Sequence, residues 1–114
     1  MTKEERIKAE FKRISVFFSE IAPNQREFIE PLLQNAAFMK VTLEDLQEII
    51  NIEGVEDEYK NGANQYGTKP SAVLQAYNTM LKNYAAVKLK LIQLLPKQAT
   101  VSRLKKMFTD DSDE

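Results

Sequence analysis

The 114-residue chain contains no cysteine and no histidine. Without cysteine there is no disulfide, no thiolate nucleophile and no thiolate metal ligand. Without histidine the usual neutral-pH acid/base and the imidazole ligand are missing too. A carboxylate or lysine mechanism stays formally open, but no Gly-rich phosphate loop, nucleophile elbow or acidic metal-loop pattern accompanies it. The expectation is a protein that is not an enzyme and uses no cofactor. No apolar run approaches the roughly 20 residues that span a bilayer. The N-terminus Met1-Thr2-Lys3-Glu4-Glu5-Arg6 is followed by no secretory core, so a cytoplasmic location is expected.

What is present suits one domain: 43% apolar and 29% charged residues, in a chain long enough for a single core. The net charge of -1 conceals a segregation. Residues 23–58 hold nine acids against Arg26 and Lys40, whereas residues 59–109 hold nine bases and no acid. Asp110, Asp111, Asp113 and Glu114 then close the chain. An acid-free basic stretch can neutralise phosphates and release their counterions. It can equally pair with the acidic block of its own chain, and sequence does not choose between the two.

Periodicity points to an all-α fold: a small bundle of three N-terminal helices, a Gly/Asn-rich loop or small hairpin, and one long C-terminal helix. Ile7, Phe11, Ile14, Phe17, Phe18 and Ile21 recur at helical spacing over about 3–21, with Thr2 as N-cap. Ala22-Pro23-Asn24 breaks the pattern, and a second helix over about 25–40 carries Phe28, Ile29, Leu32, Leu33 and Ala36, with Pro31 expected to kink or fray its start. Thr42 with Asp45 resembles a capping box and opens a third helix over about 42–53. All three glycines fall in 54–70, the long loop, where Asn61-Gly62 suits a tight turn that would pair Tyr59 with Ala63 or Asn64. Tyr59 and Tyr66 are expected to staple this loop to the core.

From 71 to 95 the chain reads as one helix of roughly 37 Å. Leu74, Tyr77, Leu81, Tyr84, Leu91 and Leu95 form one apolar stripe, and Val73, Met80, Val87 and Leu94 form a second. Two stripes suit two partners, one internal and one a neighbouring subunit, with the Leu74-to-Leu95 stripe expected as the oligomer interface, or else a single wide core-facing surface. The domain is thus expected over 1–96. Residues 97–114 are expected as a mobile charged tail in which Arg103, Lys105 and Lys106 could dock a partner.

The run Tyr59-Lys60-Asn61-Gly62-Ala63-Asn64-Gln65-Tyr66-Gly67-Thr68-Lys69-Pro70-Ser71, then Tyr77-Asn78-Thr79-Met80-Leu81-Lys82-Asn83-Tyr84 and Leu94-Leu95-Pro96, resembles small terminase-subunit-like proteins of phages and prophages of Gram-positive bacteria. The resemblance spans roughly residues 25–97. It implies a non-catalytic DNA-packaging factor in the cytoplasm of the bacterial host. Such a factor oligomerises, marks concatemeric double-stranded DNA for cutting, and delivers it to a separate large subunit that holds the ATPase and nuclease.

One departure matters for DNA. Helices at 25–40 and 42–53 could form a helix-turn-helix, but Glu44, Asp45, Glu48 and Glu53 would repel phosphates there. Charge instead singles out Lys60, Lys69, Lys82, Lys88 and Lys90, with Arg6, Lys12 and Arg13 as weaker candidates. The long-helix lysines 82, 88 and 90 are expected to stay in water. The alternative is a phage-encoded protein-binding adaptor that ignores DNA and engages a basic partner through its acidic block.

Overall fold

The computed structural model describes residues 1–60, 62, 66–95 and 101–109, with backbone alone for 59–60 and 101–104. It is mostly helical, with one small two-stranded antiparallel sheet. Helix α1 (Lys3–Ser15) opens with a full capping box. Thr2 Oγ1 accepts from the Glu5 amide at 3.1 Å, and Glu5 Oε1 accepts from the Thr2 amide at 2.9 Å, satisfying donors that the first turn cannot pair internally. The helix ends earlier than the expected residue 21, tightening into a 3-10 turn over Val16–Phe18. The tighter turn still keeps Phe17, Phe18 and Ile21 on the core.

Helix α2 (Pro23–Glu53) replaces the two helices expected over 25–40 and 42–53, so two N-terminal helices stand where three were expected. It starts at Pro23, whose fixed φ and missing N–H suit a first helical position. No glycine or proline lies between Pro31 and Gly54 to stop it, and a capping-box pattern permits a start without forcing one. Thr42 therefore sits inside the helix, its Oγ1 buried without a hydrogen-bond partner. Pro31 lies inside as well. It is exposed, as is Glu27 one turn earlier, so the carbonyl that loses its donor lies at the surface. Gly54 ends α2 at φ +87°, a left-handed backbone that favours glycine, and donates its N–H to the Ile50 carbonyl at 2.7 Å.

Strands β1 (Glu56–Lys60) and β2 (Tyr66–Pro70) resolve the 54–70 loop as a hairpin. Its register pairs Lys60 with Tyr66 and Tyr59 with Gly67, so the connection is longer than a two-residue turn and Tyr59 does not face Ala63 or Asn64. Of the Asn61-Gly62 pair only Gly62 is among the described residues, with φ +96°. Tyr66 is 74% exposed and does not staple the hairpin to the core; the Tyr59 side chain lies outside the described residues.

Helix α3 (Ala72–Leu94) starts where Ser71 Oγ accepts from the Leu74 amide at 2.9 Å. It runs back antiparallel along α2, as α1 does on another side. Arg6 meets Asp45 while Glu10 meets Lys40, and Ser71 donates its N–H to the Val55 carbonyl while Leu91 packs with Ile29 and Leu33. The 31-residue α2 is thus the spine of a molecule 64 Å long and 26 Å across.

The core lies at the end away from the hairpin and joins Ile14, Phe18, Ile29, Leu33, Ala36, Leu91 and Met107. Full burial of side chains such as Phe18, Leu33 and Leu91 contributes roughly 1.5 to 3 kcal/mol each. Met107 corrects the expectation of a mobile tail for residues 101–109; the rest of 97–114 lies outside the described residues. Met107 belongs to helix α4 (Val101–Phe108) and has no exposed surface, while Phe108 packs beside it. Arg13 fastens the end of α4, donating from Nη1 to the Lys106 carbonyl at 2.8 Å and from Nη2 to the Met107 carbonyl at 2.7 Å. A cation there both satisfies the last carbonyls and complements the helix dipole.

Candidate nucleic-acid interface

Glu30, Glu44 and Asp45 of α2 find their partners on α1 and on α2 itself. Arg6 donates from Nη1 to Asp45 Oδ1 at 2.8 Å and from Nη2 to Glu44 Oε1 at 3.0 Å. Lys40 Nζ reaches Glu44 Oε2 at 2.9 Å and Glu10 Oε1 at 4.0 Å, and Arg13 grips both Glu10 oxygens, at 2.9 and 2.7 Å. The hydrogen bonds that Arg6 donates to Asp45 and then to Glu44 raise its pKa above its already high ordinary value, so this guanidinium stays charged. The chain of charge runs from Arg6 through Glu44, Lys40 and Glu10 to Arg13 at the end of α4. Arg6 and Arg13, weaker candidates for DNA, are thereby engaged within the fold.

Every ion pair among the described residues takes its cation from Lys3, Arg6, Arg13, Arg26 or Lys40. No ion pair within 4.0 Å joins the acidic block to the basic 59–109 stretch among the described residues. On α3, Lys82 and Lys90 are exposed, with no carboxylate within 4.0 Å among the described residues. They differ by about 80° around the helix and about 12 Å along it. Around them Gln75, Asn78, Ala86, Leu89 and Gln93, spaced by three or four, are all exposed. The result is an acid-free outer face roughly 27 Å long, carrying two ammonium groups and three amides. Such donors suit phosphate oxygens.

The remaining candidates divide. Lys88 is half-buried rather than wet, its Nζ 5.1 Å from the ring centroids of both Tyr84 and Phe108, a cation–π arrangement that ties α3 to α4. Lys69 is exposed, but Asp57 lies directly opposite it on the same hairpin face, which reduces its pull on an anion. The side chains of Lys60 and Arg103 lie outside the described residues, and Lys105 and Lys106 are exposed on α4. The unbroken α2 leaves no turn near residue 41, so no helix-turn-helix forms there.

No family model, curated protein or solved structure matches the chain.

The stripe expected to serve a second subunit lies mainly inward. Leu91 is fully buried, Tyr84 and Leu95 pack against the core, Leu74 and Tyr77 are half-buried, and only Leu81 is exposed. Val73, Met80 and Val87 of the second stripe are half-buried too, while its last member Leu94 is exposed, so α3 up to Val87 presents one broad inner surface. Leu89, which belongs to neither stripe, is 58% exposed. Sequence reasoning missed the amide-bearing outer face of α3, although the three- and four-residue spacing of Gln75, Asn78, Lys82, Leu89 and Gln93 was available to find it. It also missed Arg13 as the cap of α4, for which the sequence carries no local signal. Among the described residues no group of three or more acids is placed to hold a metal ion, and no helix is long and apolar enough to cross a membrane.

Proposed function

We propose that this chain is a non-catalytic DNA-packaging factor of the terminase small-subunit kind, which oligomerises, binds duplex DNA and recruits a large ATPase/nuclease subunit. The observation that carries the reading is the division of charge. Glu10, Glu44 and Asp45 of α1 and α2 are held in internal ion pairs, while Lys82 and Lys90 stand on an acid-free face of α3 with no internal ion-pair partner among the described residues. Two phosphate contacts per subunit make a weak, salt-sensitive site. Repetition of that site in an oligomer multiplies its affinity without any new contact. The resemblance in residues 59–84 and 94–96 supplies the biological setting.

Size-exclusion chromatography with light scattering, run with and without duplex DNA at about 50 and 200 mM salt, tests the reading over the range in which phosphate contacts lose most of their strength. A discrete oligomer that binds DNA at the lower salt and releases it at the higher is the expected result. A species indifferent to DNA at both salts sinks the packaging reading. That result favours the protein-binding adaptor, for which a groove of about 360 Å3 lined by Gln25, Phe28, Ile29, Gln93 and Leu94 is the supporting observation. Phe28 is 80% exposed there, an aromatic anchor of the kind protein interfaces use.

A further inference from the structure

Two complementary surfaces are held apart by this fold. Along α1, Lys8 and Lys12 stand one helical turn apart at a groove of about 370 Å3, whose described lining is Glu5, Lys8, Ala9, Phe11 and Lys12. Both lysines are exposed, and among the described residues neither has a carboxylate within 4.0 Å. Ala9 and Phe11 make its apolar part. At the far end of the molecule, Glu56 and Glu58 share one face of the hairpin with Lys60, and their own cross-strand partners are Pro70 and Thr68, so no cation lies directly across from either glutamate. Asp57, on the other face, has Lys69 opposite. At the junction of α2 and β1, Ile52 is 77% exposed, and Val55 is exposed one residue before Glu56, on the other face of the strand.

The spacings agree. Residues four apart on a helix hold their Cβ atoms about 6 Å apart. Residues two apart on a strand stand roughly 6 to 7 Å apart. Glu56 and Glu58 can therefore meet Lys12 and Lys8 pairwise. They cannot do so within one chain. The contact of Glu10 with Lys40 sets Lys8 and Lys12 beside residues near 38–42 of α2, and α2 continues unbroken to Glu53, about 16 Å further on. A rigid spine keeps the hairpin from its own groove.

We propose that the groove on α1 is the docking site for a second copy of this chain, which seats the Glu56/Glu58 face of its hairpin on Lys8 and Lys12 and brings its exposed Ile52 to the apolar part. The inference deepens the assembly half of the reading above, since it names the contact, and it leaves Lys82 and Lys90 uncovered. Each copy carries both halves of the contact, which joins unlike patches and so either closes reciprocally or propagates around a ring.

Charge reversal tests it on the full chain by sedimentation across a dilution series. One variant carries Glu56→Lys with Glu58→Lys, the other Lys8→Glu with Lys12→Glu. Alone, each presents like charges at the contact and self-associates about tenfold or more weakly than the parent. Mixed in equal amounts, every contact between unlike variants is oppositely charged, and a 1:1 assembly as strong as the parent's returns. That rescue also shows that both variants are folded. A parent that stays monomeric, a single variant that assembles like the parent, or a mixture that stays dissociated overturns the proposal. DNA affinity of the parent is read separately: assembly without DNA binding sinks the packaging reading alone, and DNA binding with indifferent variants sinks this contact alone.

Discussion

Replacing Met107 by alanine asks whether the last helix belongs to the fold or merely trails from it. Met107 is 0% exposed and joins Ile14, Phe18 and Leu91 in the core. Truncating a buried methionine costs about 2 to 5 kcal/mol when the surroundings keep their shape, the cavity adding to the lost transfer energy. Here the surroundings have an escape. An eight-residue helix does not persist in water on its own, so when its anchor fails α4 can leave and unfold. The loss is capped at what docking contributes: the methionine, at roughly 1.5 to 3 kcal/mol, with smaller additions from half-buried Phe108 and the two Arg13 bonds, one exposed and one part-buried. We therefore expect Met107→Ala to destabilise by about 2 to 3 kcal/mol, a loss no larger than that of a chain ending at Leu95. Urea unfolding followed by far-ultraviolet circular dichroism of parent, variant and shortened chain measures it. A change below about 0.5 kcal/mol, the level of an ordinary surface substitution, would show that α4 does not hold the core and would refute the reasoning.

Three further substitutions probe particular contacts. Thr42→Val removes a buried hydroxyl that has no partner while keeping the side chain's shape, and should stabilise by about 1 kcal/mol in the same urea experiment; a loss of stability would mean that the hydroxyl is satisfied. Ser71→Ala takes away the acceptor that caps α3 and should cost about 1 kcal/mol, with an unchanged midpoint counting against the cap. Glu10→Gln keeps size but removes the charge that bridges Arg13 and Lys40 in a nearly buried position, and should cost about 1 to 2 kcal/mol; a neutral result would mean that the bridge adds nothing beyond shape.

Helix periodicity was legible wherever an apolar face meets a core, as from Ile7 to Phe18 through α1 and its closing 3-10 turn, and in α3 up to Leu91. Breaks were less so. Proline at 23 and glycine at 54 bound α2 as their chemistry requires, whereas the Thr42/Asp45 pattern suggested a start that tertiary packing overrides, Asp45 being used by Arg6 instead. The docking of α4 was hidden because its described hold is non-local: Arg13 meets carbonyls some ninety residues away, and a single fully buried methionine anchors a short amphipathic segment. For the candidate site, the acid-free character of residues 59–109 was visible in composition. Which lysines stay in water was not, since Lys88 is withdrawn between two rings, one of them on α4, and Lys69 faces an acid across the hairpin. Those assignments depend on partners that the order of residues does not bring together.

The most direct test of the packaging reading is the salt dependence of duplex affinity for the parent and for the variant carrying Lys82→Ala with Lys90→Ala, followed by fluorescence anisotropy of a labelled duplex. If the outer face of α3 meets phosphates, the parent binds at low salt. The variant then binds more weakly on every duplex sequence, and its slope of log affinity against log salt is shallower by about 2 for each subunit engaged. A variant with the parent's affinity and slope, or a parent with no affinity at low salt, contradicts the account.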